Sequence, residues 1–146
     1  MEQFKLYIDG QFDSGAATFI SLNPATAEPW ADIAEARSEQ TDRAVQAAAR
    51  AFQSDGWRGL SASARGKLLH KLADLIERDA RKLARLETLD TGKIIRETEA
   101  QIAYVAEYYR FYAGLADKMD GATLSIDKDD METWIKRDPV GVVAAI

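Results

Sequence analysis

The chain opens with short alternating stretches and then changes period. Lys5 to Ile8 and Gln11-Phe12 flank Asp9-Gly10, a two-residue pair that tolerates the positive φ a tight hairpin turn needs. Thr18 to Leu22 is β-branched and apolar and ends at Asn23-Pro24, a turn initiator. Trp30 to Ala36 alternates well enough to predict a further strand. From Ser38 the spacing becomes helical. Ser38 or Thr41 is placed to cap a helix whose apolar face is Ala44, Val45, Ala48 and Phe52. Asp55-Gly56-Trp57-Arg58-Gly59 breaks it. Ser61 caps the next helix, with Leu68, Leu69, Leu72, Leu75 and Ile76 at helical spacing. Asp79 starts another turn, and Leu83, Leu86 and Leu89 carry the stripe to Gly92, a helix C-cap.

A third long helix, from about Ile94 to Ala116, has two apolar faces. Ile102, Val105, Ala106, Tyr109, Tyr112 and Ala113 make one, and Tyr104, Tyr108, Phe111 and Leu115 make the other. A helix apolar nearly all round is normally buried on all sides. Little chain remains here to cover it, so this helix is expected to pack against protein beyond these residues. After Gly121 the pattern returns to strands: Ala122 to Ile126, an acidic turn at Asp127-Lys128-Asp129-Asp130, then Met131 to Arg137. The last run, Val140, Val142, Val143 and Ile146 behind Asp138-Pro139, reads as a strand covered on both faces. In open α/β sheets, sites lie at the carboxyl ends of such strands.

Composition narrows the function classes. At 146 residues the chain is long enough for one ordinary domain, and 47% hydrophobic with 29% charged residues is globular usage. A net charge of -5 argues against nucleic-acid or anionic-membrane surfaces. No window approaches the ~18 apolar residues of a membrane span, and a cytoplasmic location is the expectation. There is no cysteine, so disulfides, thiolate metal sites and cysteine nucleophiles are all excluded within these residues.

Candidate chemistry is sparse. No G-x-G-x-x-G or G-x-x-x-x-G-K-[ST] string is present to cradle phosphates. The single histidine, His70, lies outside its helix's apolar stripe and reads as a solvated surface group. The carboxylates of Asp127, Asp129 and Asp130 lack the length, internal glycine and terminal glutamate of a calcium loop, and read as a solvated turn. Leu89-Asp90-Thr91-Gly92-Lys93 reads first as a helix end, with glycine supplying the left-handed residue and lysine complementing the dipole. Its functional alternative is that Asp90 helps hold a monovalent cation.

Seven strings in order resemble the N-terminal part of the aldehyde dehydrogenase superfamily. They are Leu6-Tyr7-Ile8-Asp9-Gly10, Asn23-Pro24-Ala25-Thr26, and the Ala44-Val45 to Ala51-Phe52 helix followed by Trp57. Further on come Arg65-Gly66-Lys67-Leu68-Leu69, Leu86 to Lys93, Tyr108-Tyr109 to Tyr112-Ala113-Gly114, and Arg137-Asp138-Pro139-Val140-Gly141-Val142. The resemblance implies an α/β fold in which 1–120 are outer strands and helices of a Rossmann-like cofactor domain. Residues 121–138 would begin an oligomerisation β-ribbon, and 139–146 would be the first strand leading to the cofactor and active-site cleft.

The implied activity is oxidation of an aldehyde to a carboxylic acid with NAD or NADP, by an enzyme that is a dimer or tetramer when full length. In that family a Pro-Trp-Asn motif follows this strand and supplies an oxyanion-hole asparagine. That asparagine, the general-base glutamate and the nucleophilic cysteine would all lie beyond Ile146, so the chain alone is expected to be inactive. Two site assignments carry over by resemblance: Ser21, Leu22 and Asp90 around a potassium or sodium ion, and Ile146 as a cofactor contact. A competing expectation is a non-enzymatic assembly piece that pairs through the exposed edges of its ribbon.

Overall fold

The computed structural model describes residues 1–145. The order is β1 (Glu2–Phe4), β2 (Leu6–Ile8), β3 (Gln11–Asp13), β4 (Ala17–Leu22), β5 (Pro29–Glu35), α1 (Ser38–Gln53), α2 (Asp55–Arg58), α3 (Ala62–Arg78), α4 (Ala80–Thr91), α5 (Ile95–Leu115), β6 (Ala122–Leu124) and β7 (Thr133–Ile135). β5 is the centre of a three-stranded mixed sheet, with β1 parallel on one side and β4 antiparallel on the other. β2 and β3 form the hairpin that Asp9-Gly10 announces, with φ of 52° and 79° at the two turn residues. β6 and β7 pair as a separate antiparallel ribbon.

β1 has no counterpart in the hydrophobic pattern, since Phe4 is its one large apolar residue. Its parallel register with β5 sets the Phe4 ring edge-on to Trp30, with centroids 5.7 Å apart. The cap of α1 falls one residue before Ser38 and four before Thr41. Arg37 occupies the cap position, and its N–H donates to Gln40 Oε1 at 3.1 Å, so a glutamine rather than Ser38 or Thr41 closes the first turn. Ser61 does cap α3, its Oγ accepting from the Ala64 N–H at 3.2 Å.

α3 and α4 lie against α5, and the contact is made by small residues. The buried apolar side chains are all alanine: Ala31, Ala34, Ala73, Ala84, Ala106 and Ala113. Thr98, fully buried, shares a 2.9 Å hydroxyl contact with Thr88 and donates to the Ile95 carbonyl at 2.9 Å. Gly66 meets α5 so closely that a Cβ there would stand 2.7 Å from the Ala113 carbonyl oxygen. Arg110 ties α5 to α3 through Glu77 (2.5 Å) and Asp74 (3.0 Å), and holds Glu107 on its own helix at 2.8 Å. Those carboxylates, Glu77 foremost, push its guanidinium pKa further above the ordinary arginine value.

This packing changes the face assignment of two helices. On α3, Leu69 and Ile76 flank the buried Gly66 and Ala73, while Leu68, Leu72 and Leu75 point outward. On α5, Ala106 and Ala113 define the inner face, and Tyr112, 45% exposed, joins the outer stripe instead. Residues 139–145 do not form the expected buried strand. Val140 is 93% exposed, and Gly141 at φ 115° breaks the extended path. A strand exists only through a ladder, and among the described residues none is paired with this segment. Gly141, Val142 and Val143 instead border an open apolar cleft with Phe52 and Trp57.

The β2–β3 hairpin is fastened to α1 by two ion pairs, Arg43 to Asp13 at 2.9 Å and Arg50 to Asp9 at 2.8 Å. The Gly15 N–H, and after it Arg43, hold the Asp13 carboxyl below its ordinary value of 3.8. A lowered native pKa gives stability that is present above 3.8 and lost as pH falls through the native value. The hairpin–α1 contact is therefore predicted to loosen on acidification, and an acid titration of amide shifts in 11–15 and 43–50 should show it. Asp13→Asn should flatten that response; an unchanged response would contradict the assignment. Gly66→Ala gives a second check. Helix propensity alone favours alanine by about 1 kcal/mol, whereas the clash with the α5 backbone costs roughly 1–3 kcal/mol. A lowered urea midpoint is expected, and a raised one would refute the close contact.

Candidate functional site

The two strings singled out for cation binding meet in space. β4 delivers Ser21 and Leu22 to the Asn23-Pro24 turn, and α4 delivers Asp90 and Gly92 to the same place. Ser21 Oγ donates to Asp90 Oδ1 at 2.8 Å across 69 positions of sequence, and itself accepts from the Trp30 indole N–H at 3.1 Å. The result is a polar chain from Trp30 on β5, through Ser21 on β4, to Asp90 near the end of α4.

The turn is built by its asparagine. The Asn23 side-chain oxygen accepts from the Ala25 N–H at 2.9 Å, and its carbonyl accepts from Ala27 at 2.7 Å. This fold of the turn places Pro24 against the end of α4, where Gly92 sits at φ 74° and its N–H returns to the Thr88 carbonyl at 3.0 Å. A Cβ on Gly92 would stand 2.9 Å from Pro24 Cγ. Gly92 is thus required twice, by the left-handed C-cap and by the proline packed on it. Lys93 does more than complement a dipole: its ammonium bridges Glu87 at 2.6 Å and Gln101 at 3.2 Å, joining α4 to α5.

As a cation site the arrangement is oxygen-only. Asp90 and Leu22 are exposed and Ser21 is half-buried. Opposite Leu22 in the sheet is Pro29, which has no N–H to offer, and the register shifts at Ser21/Leu22. The donor set of a carboxylate and backbone carbonyls suits a hard cation. It does not suit a transition metal, and among the described residues no three His, Cys, Asp or Glu side chains converge. Ile146, the expected cofactor contact, lies outside the described residues. His70 is exposed, as its position off the stripe implies, and the acidic turn at 127–130 is exposed throughout. The Trp30–Ser21–Asp90 link was not legible from spacing; the one hint was that a Trp indole N–H in a half-buried strand needs an acceptor.

Residues 12–146 match the model of the aldehyde dehydrogenase family. The (Z)-2-((N-methylformamido)methylene)-5-hydroxybutyrolactone dehydrogenase of Acinetobacter baylyi is 64% identical over 146 residues, which is 100% of this chain and 30% of that protein. Betaine aldehyde dehydrogenase of Bacillus subtilis is 41% identical over 97% of the chain and 29% of its own length. An aldehyde dehydrogenase of Bacillus cereus, solved as its NAD+ complex, superposes with a TM-score of 0.88 at 39% identity, over 95% of this chain and 29% of that one. The chain therefore spans about 30% of the length of the curated relatives it matches. On the matched residues, the fold and these identities, the chain belongs to the aldehyde dehydrogenase family.

Proposed function

We propose that this chain is the N-terminal part of an oxidoreductase that converts an aldehyde to a carboxylic acid with NAD or NADP. The observation that carries the reading is the 64% identity to the Acinetobacter dehydrogenase over the whole chain. That relative's name specifies a 5-hydroxybutyrolactone. Such a ring carries hydroxyl and ester oxygen on one carbon, and its open tautomer is an aldehyde bearing a carboxylate. A masked semialdehyde is accordingly the substrate class we assign, with the assembled enzyme a homo-oligomer. The residues here contribute framework and no nucleophile, since acyl transfer through a thiolate needs a cysteine and the chain has none.

Within that framework, Asp90 together with the carbonyls of Ser21 and Leu22 would hold a potassium or sodium ion. Its support is the contact that brings Ser21 at the end of β4 against Asp90 near the end of α4, at 2.8 Å. The ion would supply positive charge that fixes the Asn23-Pro24 turn against α4.

Two measurements test these readings. Replacing the matched segment of the Acinetobacter dehydrogenase by this chain should leave aldehyde-dependent formation of reduced cofactor within about tenfold, a barrier change of about 1.4 kcal/mol. The purified chain alone should form none. A folded but inactive chimera, or turnover by the chain alone, would refute the assignment. For the cation, exchanging choline for sodium or potassium at constant ionic strength should raise the thermal midpoint of the chain. Asp90→Ala should abolish that rise, and identical midpoints in all three salts would contradict the site.

A further inference from the structure

The Asp90 carboxylate is held from one side only. Among the described residues its one hydrogen-bond donor is the Ser21 hydroxyl, at 2.8 Å on Oδ1. Lys93, the nearest cation in sequence, is engaged elsewhere, its ammonium on Glu87 at 2.6 Å and on Gln101 at 3.2 Å. An ionised carboxylate accepts about four contacts, so Oδ2 is left for a ligand that the helix end does not itself supply.

What directs the Ser21 proton toward Asp90 lies one residue further back. A serine hydroxyl carries one proton and two lone pairs, and it rotates to suit its partners. The Trp30 indole N–H can only donate, and it donates to Ser21 Oγ at 3.1 Å. With the acceptor side of the hydroxyl used in this way, its proton goes to Asp90. A donor on Oγ also polarises the O–H and strengthens the bond it makes onward. Trp30 is a firm anchor for this, half-buried on the central strand with its ring edge-on to Phe4 at 5.7 Å.

An irregularity in the sheet places the indole there. Ser21 pairs with Ala31 and Leu22 with Pro29, so one step on β4 is matched by two on β5. Trp30 is the extra residue, and a bulge of this kind re-aims a side chain. The bulge falls at the two residues whose carbonyls belong to the cation site, and Pro29 has no N–H to occupy the one opposite it. One break in the ladder therefore serves the carbonyls and the carboxylate together.

We propose that Trp30 and Ser21 are positioning residues of the cation site: the indole N–H sets the Ser21 hydroxyl, the hydroxyl fixes Asp90 through Oδ1, and Oδ2 is kept for the ion. This rests on the cation reading above and adds to it the two side chains that orient its carboxylate.

Nitrogen–proton correlation spectra of the isotope-labelled chain test it, with potassium or sodium chloride exchanged for choline chloride at constant ionic strength. Trp30→Phe, which keeps an aromatic ring against Phe4, identifies the Trp30 indole peak by its loss. In the parent chain that peak should move saturably with potassium or sodium, while the indole peaks of Trp57 and Trp134 stay in place. Ser21→Ala and Trp30→Phe should each weaken cation binding about fivefold, the worth of one hydrogen bond, read from the amide peaks of Ala25 and Gly92. Ser21→Thr, which restores a hydroxyl, should recover the parent affinity. Saturable amide shifts with an unmoved Trp30 peak, or parent affinity in both Ser21→Ala and Trp30→Phe, would overturn the positioning role and leave the cation reading standing. No cation-dependent shift at any of these peaks would overturn both.

Discussion

The contact between small residues on α3, α4 and α5 is the constraint on which the rest of the structure depends. Gly66 and Ala73 from α3, Ala84 from α4, and Thr98, Ala106 and Ala113 from α5 let the three helices approach at backbone distance. A close approach gains dispersion contacts along the whole interface while burying little side-chain volume. It also leaves the larger residues nowhere to go but outward. Leu68, Leu72 and Leu75 on α3 and the aromatic stripe on α5 are exposed for that reason. The relatives this chain matches are much longer, and it spans about 30% of their length.

The same layer positions the candidate cation site. Thr88 and Thr98 pin α4 to α5 through their shared hydroxyl contact, and Lys93 adds a bridge to Gln101. α4 therefore arrives at β4 with its C-terminal end fixed. Gly92 can then receive Pro24, and Asp90 can receive the Ser21 hydroxyl. The sheet contributes through Trp30, whose ring rests on Phe4 and whose indole N–H completes the polar chain. Sheet and helices are joined here by a few directed contacts, not by a common core of large side chains.

Local chemistry made much of this readable. Asp9-Gly10, the Ser61 cap and the Gly92 C-cap each act within a few residues, and each appears where its own chemistry requires. What failed was the choice of helix face. Periodicity gives most weight to leucine and aromatic residues, yet the inner faces belong to alanine, glycine and threonine, because partner distance decides burial. β1 was missed because a parallel edge strand of three residues needs only its backbone and Phe4. The strand expected at 140–146 has the right residues, but among the described ones no ladder partner, so Val140 stands in solvent. For the site, Asp90 stood out in its own string, while Ser21 and Leu22 came from family resemblance alone. No spacing rule links positions 69 residues apart, and the Trp30 contribution emerged only from the three-dimensional arrangement.

Residue-resolved hydrogen exchange on the isolated chain tests the central claim most directly, because it ranks the stability of each element without reference to activity. If the small-residue interface holds the fold, the slowest amides will lie in α5 between Thr98 and Ala113 and in α3 between Gly66 and Ala73. The β6–β7 ribbon and residues 139–145 will exchange quickly. Maximal protection in the ribbon, or α5 amides exchanging as fast as those of 139–145, would contradict the account.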